Sequence, residues 1–600
     1  MKRRSFLLST TLFLSSCASK VKRSPSSTLF DIFRSKPQGL SSNDFDQIED
    51  YYDLICIGSG YGSSVIAARM SEEYPNSKIC VLERGKEFFP GDFPKSFANV
   101  LGEMHSKANP LGLLSQNLGA EEDCDLDIIG ANGLGGTSLI NAAISIAPTK
   151  EVFLQKEWPK EIRESASKGP DHTLGELGKY YSRADKELGA SYQEDQLSKT
   201  KKSIAFKKAF EKAKVKLSFL KLNINYKSNI KSDRNDCTLC GDCCSGCNVG
   251  AKNILPYNYL YKAKESGCSI FTETEVIDLY KTKSGYRIEI KSSSNLNFDK
   301  KIINAKNIVL GAGSLGSTKL LLKARKNGIR LSQKIGESLS LNADVLGFCY
   351  NGHEKTQSVG TGVNKRLQLV QGSVGTGIST VANFRDLNKE RALEEQFLLL
   401  EGAIPSPLAS TLAYGLSMFA KANKKDFNFS TEQWDRVERD SNITNNFGKF
   451  EQDGALNYST LFLACGHDSS GGKYILTEND EIKVIYPDIV KEYFYKNITS
   501  HMKEVSKKLG GHYLDNPRTS IFKDKMMATH PLGGCPMGDD ATKGVVNHKG
   551  QVFNGRTGIH KGLYVVDASI IPRSLGATPL LTISALAERI SEKMIEDNII

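Results

Sequence analysis

Five cysteines fall within eleven residues, in the stretch CTLCGDCCSGCNVGAKN that begins at Cys237. They are Cys237, Cys240, Cys243, Cys244 and Cys247, and the rest of the 600-residue chain holds eight more. The first three have the C-x2-C-x2-C spacing of iron–sulfur proteins, with Cys244 or Cys247 as a fourth thiolate. Zinc suits the spacing less well: only three residues separate Cys240 from Cys244, and structural zinc pairs stand further apart along the chain. Disulfides suit an exported chain, yet five cysteines leave one over, and adjacent Cys243 and Cys244 rarely bond each other. Cluster, disulfide and zinc stay open; the metal reading takes Cys237, Cys240, Cys243 and Cys247 as ligands.

A different chemistry stands near the start, in YYDLICIGSGYGSSVIAARMSEEYPNSKICVLERG from Tyr51. Asp53 to Ile57 is an apolar run fit for a buried parallel strand. Gly58, Gly60 and Gly62 follow, then a helix from about Ser63, then a second buried strand, KICVLE, ending at Glu83. Glycine lets backbone approach a pyrophosphate, and the helix N-terminus offers amide donors and a positive dipole end. Glu83 lies 25 residues beyond Gly58, where a ribose-binding acid is expected. Ser63 replaces the third glycine of the motif, which weakens the expected helix–strand packing there.

The elements that position these groups belong to a globular chain of two or more domains. Hydrophobic residues make up 39% and charged residues 24%, the balance of a chain that is neither disordered nor membrane-spanning. The net charge of +11 comes from scattered lysines. No arginine-rich block interleaved with aromatics suggests nucleic-acid binding. The first residues, MKRRSFLLSTTLFLSSC, read as an export signal over 1–16: a basic start, then an apolar run too short to span a bilayer. LSSC resembles a lipoprotein box, which makes Cys17 the lipidated N-terminus, and RRSFL resembles a twin-arginine signal. Residues 17–50, rich in serine, read as a tether. The expected location is the cell envelope or periplasm, with a lipid anchor at the membrane.

Further motifs carry a family resemblance: GDFP (Gly91 to Pro94), GANGLGGTSLIN (Gly130 to Asn141), NIVLGAGSLGSTKLLLKA (Asn307 to Ala324), THPLGGCPMG from Thr529, and GLYVVDASIIPRSLGATPLLTISALAERI (Gly562 to Ile590). At these residues the chain resembles the glucose–methanol–choline family of FAD oxidoreductases, in the branch of bacterial cholesterol oxidases. The resemblance implies an α/β fold: a Rossmann-like FAD domain with a parallel sheet, discontinuous over 51–150, 230–344 and 521–600. An insertion or cap (151–229) and an α+β substrate domain with an antiparallel sheet (345–520) complete it. It implies that Gly58, Gly60, Gly62 and Glu83 hold the adenosine half of FAD. Gly135, Gly136, Ser138 and Asn141 match the second FAD loop. Gly313 would pack on the adenosine side, and Asp567 and Ala568 match the strand at the FAD phosphates.

Alcohol oxidation needs a proton acceptor beside the hydroxyl, and histidine suits that task. His530 matches the family's active-site histidine. The family's second group, His or Asn, is Thr578 here. Glu401 stands several residues too early for the acid that cholesterol oxidases use in isomerisation. His467 and Asp468 stand where relatives show a polar pair. The expected function is oxidation of a sterol-like or other bulky apolar alcohol, with oxygen or a quinone or cytochrome as acceptor. The alternatives are a sugar or polyol dehydrogenase with an iron–sulfur relay, and a non-catalytic flavin-binding electron-transfer lipoprotein.

Overall fold

Tyr51–Ile57 and Ile79–Leu82 are adjacent parallel strands, and the helix Tyr61–Glu73 connects them. The unalternating runs LICI and ICVL are buried on both faces, as a parallel strand covered on each side requires. The other parallel neighbours come from far along the chain. Lys300–Leu310 pairs with the first strand, Ile559–Val565 lies beyond it, and Ser269–Phe271 lies beside Ile79–Leu82. Antiparallel additions, Thr274–Lys281, Tyr286–Ser292 and Gln551–Phe553, complete an eight-stranded sheet. The computed structural model describes residues 39–600 except 118–125, 171–172, 212, 227–233, 295–299, 365–371, 388–389, 443–450, 517–518 and 520–524. The leader 1–16, Cys17 and the tether up to residue 38 lie outside the described residues. No helix among the described residues is long and apolar enough to cross a membrane.

A second sheet is wholly antiparallel. Its order is His512–Asp515, Val345–Tyr350, Thr460–Cys465, Leu398–Gly402, Ile378–Asn383 and Lys216–Phe219. Its edge strand, Lys216–Phe219, falls in the stretch read as an insertion. The helix Tyr493–Lys508 buries Ile498, Met502 and Val505 in one core cluster with Cys349, Leu399, Phe462 and Ala464 of this sheet. Those four residues share one face because strand side chains alternate. Leu346, Leu398, Leu400, Leu463 and Cys465 therefore point to the other.

The tether expectation runs too far. Ser42 donates its N–H to Ile270 O and its C=O accepts from Thr272 N–H, which adds Ser42 to the strand edge at 269–271. Glu87 accepts from Leu40 N–H, Ser41 N–H and the Ser41 hydroxyl, and Ile48 is buried. The segment from about Leu40 is folded because paired backbone and an apolar anchor offset its loss of freedom. At the other end of the chain, the helix Leu580–Glu596 packs on Tyr61–Glu73 and Gly178–Glu187. Its buried Glu588 accepts from Arg69 Nη2 at 2.7 Å and from the Tyr259 hydroxyl at 2.8 Å. Removing one side of a buried pair strands the other. Glu588→Ala should therefore lower unfolding stability by about 3–5 kcal/mol. Glu596→Ala, in the exposed pair with Lys593, should stay within about 0.5 kcal/mol. Denaturant midpoints of the two variants check the contrast.

Candidate active site

Four parallel strands end on one line, because Ile57 pairs with both Leu82 and Leu310, and Leu310 with Val565. The residues just past that line, Gly58, Glu83, Gly311 and Val566, form the carboxyl edge where open α/β sheets bind ligands. Gly58 turns the chain at φ +87°, and a Cβ there would meet Gly311 O at 2.6 Å. Gly62 is glycine for packing: a Cβ would lie 1.5 Å from Val566 O. Gly60 differs, since its Cβ direction is open, with Gly311 O the nearest atom at 3.7 Å. Gly60 also caps the helix with no side-chain hydrogen bond, so the first amides keep their donor capacity for an anion. The Ser63 departure is absorbed from across the sheet. A Cβ on Gly311 would stand 2.0 Å from Ser63 Oγ, so the glycine that permits close approach sits on the facing strand end.

Glu83 is buried beside this turn, and burial pushes its carboxyl pKa up. It accepts from Ser59 N–H at 3.1 Å, the Ser59 hydroxyl at 2.5 Å and Gly85 N–H at 2.9 Å. Ser59 Oγ in turn accepts from Gly135 N–H at 2.9 Å, which locks the first glycine turn to the second loop. In that loop Gly135 and Gly136 have φ of +103° and +54°. A Cβ on Gly136 would meet Gly60 Cα at 3.0 Å, so the two glycine turns approach backbone to backbone. Ser138 donates its hydroxyl to Gly135 O and accepts from Leu255 N–H. Asn141 donates to the Tyr61 hydroxyl and accepts from Ala143 N–H. Asp567 joins two further pieces. It accepts from Gly313 N–H and the Ser317 hydroxyl on one oxygen, and from Ser569 N–H and hydroxyl on the other. Ala568 O accepts from Gly533 N–H, and the Cβ direction of Gly313 is open. The residues fit a dinucleotide: open Cβ directions at Gly60 and Gly313, an uncapped helix start, and an acid beside the first turn.

His530 lies in a loop clamped onto the segment before the antiparallel sheet. Leu532 and Ser340 exchange N–H to C=O bonds in both directions. His530 Nδ1 stands 2.8 Å from Asp344 Oδ1. Asp344 is buried and also accepts from Thr529 N–H at 3.1 Å and the Thr529 hydroxyl at 2.5 Å. Cys465 Sγ lies 3.9 Å from His530 Nδ1. These three side chains are the one set among the described residues whose metal-ligating atoms all lie within 4.8 Å. The 2.8 Å contact is a hydrogen bond, which reads as an oriented histidine. With Nδ1 as donor to Asp344, Nε2 is left as an acceptor.

Thr578 is buried and its hydroxyl donates to Ile144 O at 3.3 Å. It and His530 are held by one segment. Asn342 donates to Ala577 O at 2.9 Å and accepts from Leu575 and Gly576 N–H. Asp468 Oδ2 accepts from the Ser340 hydroxyl and from Leu341 and Ala343 N–H, at 2.8 to 2.9 Å. Burial raises the Asp468 pKa to about 6. His467 packs under Gly576, and burial, with Arg573 and Arg385 near it, lowers its pKa to about 3. A histidine that basic groups and burial keep neutral is a poor proton acceptor, so the His467–Asp468 pair is a brace. Glu401 is spent on the far face of the sheet, paired with buried Lys202 at 2.6 Å and hydrogen-bonded to Ser203 and Thr380. Asp344, Asn342, Ser59 and Gly311 were not legible as site residues. Asp344 and Asn342 stand in no motif, Ser59 and Gly311 stand inside the glycine motifs without marking a role of their own, and only the fold brings the four to His530, Thr578, Glu83 and Ser63.

Cys237, Cys240, Cys243 and Cys247 line one cavity, beside the second glycine loop. None of the five cysteines of the stretch is joined in a disulfide.

With this geometry in hand, the comparisons are decisive for the family. The N-terminal GMC oxidoreductase family model matches residues 55–343, and the C-terminal one matches residues 496–587. The chain belongs to the GMC oxidoreductase family, whose members are FAD-dependent oxidoreductases acting on alcohols. A cholesterol oxidase of Acinetobacter baumannii is 24% identical, covering 92% of this chain and 94% of that one. A cholesterol oxidase of Mycobacterium tuberculosis is 26% identical, covering 90% of each. A long-chain-alcohol oxidase of Arabidopsis thaliana is 22% identical over 91% of this chain and 67% of its own. Among solved structures, the formate oxidase of Aspergillus oryzae has a TM-score of 0.59 at 15% identity, covering 92% of this chain and 99% of that one. A fungal aryl-alcohol oxidase has 0.57 at 12%, covering 92% and 100%. Both share the fold.

Gly60→Leu should fold yet lose FAD, because its side chain enters open space that the cofactor needs. Flavin absorbance after desalting, with unchanged circular dichroism, checks it; a normal flavin content would refute the cradle. Asp344→Asn should retain FAD and KM but lower kcat by roughly 10²-fold, since the amide no longer fixes the Nδ1–H form of His530. A fall in flavin content in parallel with kcat would mark Asp344 as merely structural.

Proposed function

We propose that this chain oxidises a hydroxyl group on a sterol-like or other bulky apolar alcohol. The observation that carries the reading is the sheet face beside His530. Leu398 pairs directly with Cys465, Leu400 with Leu463, and Leu463 with Leu346, so the row that leads away from the histidine is apolar. A sugar or polyol needs several polar partners, and an apolar wall leaves its hydroxyls unpaired. The names of the cholesterol and long-chain-alcohol oxidases to which the chain is similar support the same class.

In this reading Nε2 of His530 receives the hydroxyl proton of the substrate. Asp344 holds the ring and stabilises the imidazolium that forms. Thr578, with its hydroxyl turned to Ile144 O, shapes the floor and is too short to take the proton. Gly60, Gly136 and Gly313 let the backbone approach FAD, and Glu83 faces its ribose. Bound FAD supplies the hydride acceptor, at N5. Oxygen is the simplest electron acceptor. The second reading, a relay through an iron–sulfur cluster to a quinone or cytochrome, is supported by the cavity that Cys237, Cys240, Cys243 and Cys247 share. The leader and Cys17 support a lipid-anchored place in the cell envelope.

Anaerobic flavin bleaching tests the substrate class. Sterols or long-chain alcohols should bleach the wild-type protein, whereas glucose and polyols should leave it yellow. His530→Ala should keep FAD and slow bleaching roughly 10² to 10⁴-fold. Bleaching by sugars alone would overturn the apolar assignment, and no bleaching by any alcohol would favour a non-catalytic flavoprotein.

A further inference from the structure

We infer that Asp344, Cys465 and His530 form a binding site for one zinc ion, and that a bound ion holds the protein inactive by occupying Nδ1 of His530. The site stands on its own geometry; its effect on turnover rests on His530 as the proton acceptor of the preceding reading. These are the three side chains whose ligand atoms all lie within 4.8 Å among the described residues. Asp344 Oδ1 stands 2.8 Å from His530 Nδ1 and 3.6 Å from Cys465 Sγ, and Cys465 Sγ stands 3.9 Å from His530 Nδ1. A tetrahedral zinc has bonds of about 2.3 Å to sulfur and about 2.1 Å to nitrogen or oxygen. That sets ligand atoms roughly 3.6 Å apart where one is sulfur, and roughly 3.4 Å apart otherwise. The two sulfur edges are thus close to those of a zinc site, and only the Asp344–His530 edge must open, by roughly 0.6 Å.

Each ligand is held by a different part of the fold. Cys465 ends the strand Thr460–Cys465, where it pairs with Leu398. His530 sits in the loop that Leu532 and Ser340 clamp. Thr529 gives both its N–H and its hydroxyl to Asp344 Oδ2, which leaves Oδ1 for the other two ligands. Hydrogen bonds of that kind orient a ligating carboxylate. One thiolate, one imidazole and one carboxylate suit zinc. Magnesium and calcium take oxygen ligands, and this set offers them one. Asp344 and Cys465 are buried, while the His530 side chain keeps 17% of its exposure. An ion therefore enters beside the imidazole, with water as its fourth ligand.

Binding balances in protons and charge, and nothing is oxidised or reduced. Before the ion binds, the Cys465 thiol donates to Asp344 Oδ1, Nδ1 of His530 carries the imidazole proton, and Nε2 is an acceptor. Zinc takes the thiolate, the carboxylate and Nδ1. The thiol proton leaves to solvent and the imidazole proton passes from Nδ1 to Nε2, so one proton is released per ion. The two anionic ligands cancel the charge of the ion, as burial requires. The consequence falls on Nε2. Once it carries the proton it is a donor, and it can no longer receive the hydroxyl proton of an alcohol.

The test uses the FAD-loaded full-length protein after mild chelation, with zinc and cobalt(II) as probes. Saturating zinc should slow anaerobic flavin bleaching by alcohol roughly 10²-fold or more, the cost of losing a proton acceptor. A chelator should restore the rate, and magnesium should leave it unchanged. Cobalt(II) should give ligand-field bands at longer wavelength than the flavin, which zinc displaces. Cys465→Ala should lose that part of the cobalt signal. Measured against its own metal-free rate, it should need roughly 10- to 100-fold more zinc for equal inhibition, a loss that even an outer contact of a metal site causes. Cys240→Ser should stay as sensitive as the wild type. Inhibition that Cys240→Ser relieves and Cys465→Ala keeps would put the ion in the cysteine loop and overturn the assignment. Where Cys465→Ala fails to fold, zinc-edge anomalous diffraction from wild-type crystals decides, and no peak between Asp344, Cys465 and His530 overturns it. The two readings fail separately, since the cobalt signal needs no turnover. Zinc held at Cys465 with bleaching undiminished defeats His530 as proton acceptor alone, and bleaching without a Cys465-dependent cobalt signal defeats the zinc site alone.

Discussion

The buried carboxylate of Asp468 holds the segment on which the candidate site depends. That segment, 338–344, leaves the FAD-binding part of the chain and enters the antiparallel sheet at Val345. Ser338, Asn342 and Ala343 all adopt positive φ without being glycine, a strained path that needs fixed partners. One oxygen of Asp468 accepts three donors from it. The conformation so imposed aims Asp344 at His530 and turns Asn342 onto the backbone of 575–577. Two loops more than forty residues apart in sequence, carrying His530 and Thr578, are thus referred to one short piece of backbone.

The two halves of the site differ in how they are built. The cofactor cradle is backbone and glycine, because a pyrophosphate is recognised by amides and close approach. Its geometry follows from strands that stop in register. The half around His530 and Thr578 is side chains on irregular loops, and its order comes from buried carboxylates whose oxygens are saturated with donors. Burial raises the pKa of Asp468 and Asp567. Such groups are costly unless every oxygen is satisfied, and here each accepts from a backbone N–H or a hydroxyl on both oxygens. The cost is borne where it fixes a loop that no regular element could fix.

What the sequence made legible follows the same division. Glycine turns, apolar strand runs and Glu83 are local signals, and the parallel sheet formed where they pointed. The departure at Ser63 looked like a weakness only because its compensation, Gly311, lies far along the chain and across the sheet. Asp344 could not be told from the other acids of the chain by any local pattern; what marks it is burial against a histidine 186 residues away. The tether was overextended because serine-rich composition hides backbone pairing, which is how Ser42 joins the sheet edge.

Lys252 shows why the cysteine loop should be considered with the flavin site rather than as a separate ornament. Burying an ammonium among apolar walls is expensive, and burial pushes the Lys252 pKa down. The lysine is nevertheless placed so that its three donors join Cys243, Leu139 and Asn141. A neutral residue of similar length could fill the volume but could not hold three carbonyls from two loops in one place. Cys243, Cys465 and Ala577 also share a packed apolar cluster, so the loop, the neighbour of His530 and the neighbour of Thr578 form continuous protein. A loop that served only to close a surface gap would need neither the buried cation nor that continuity.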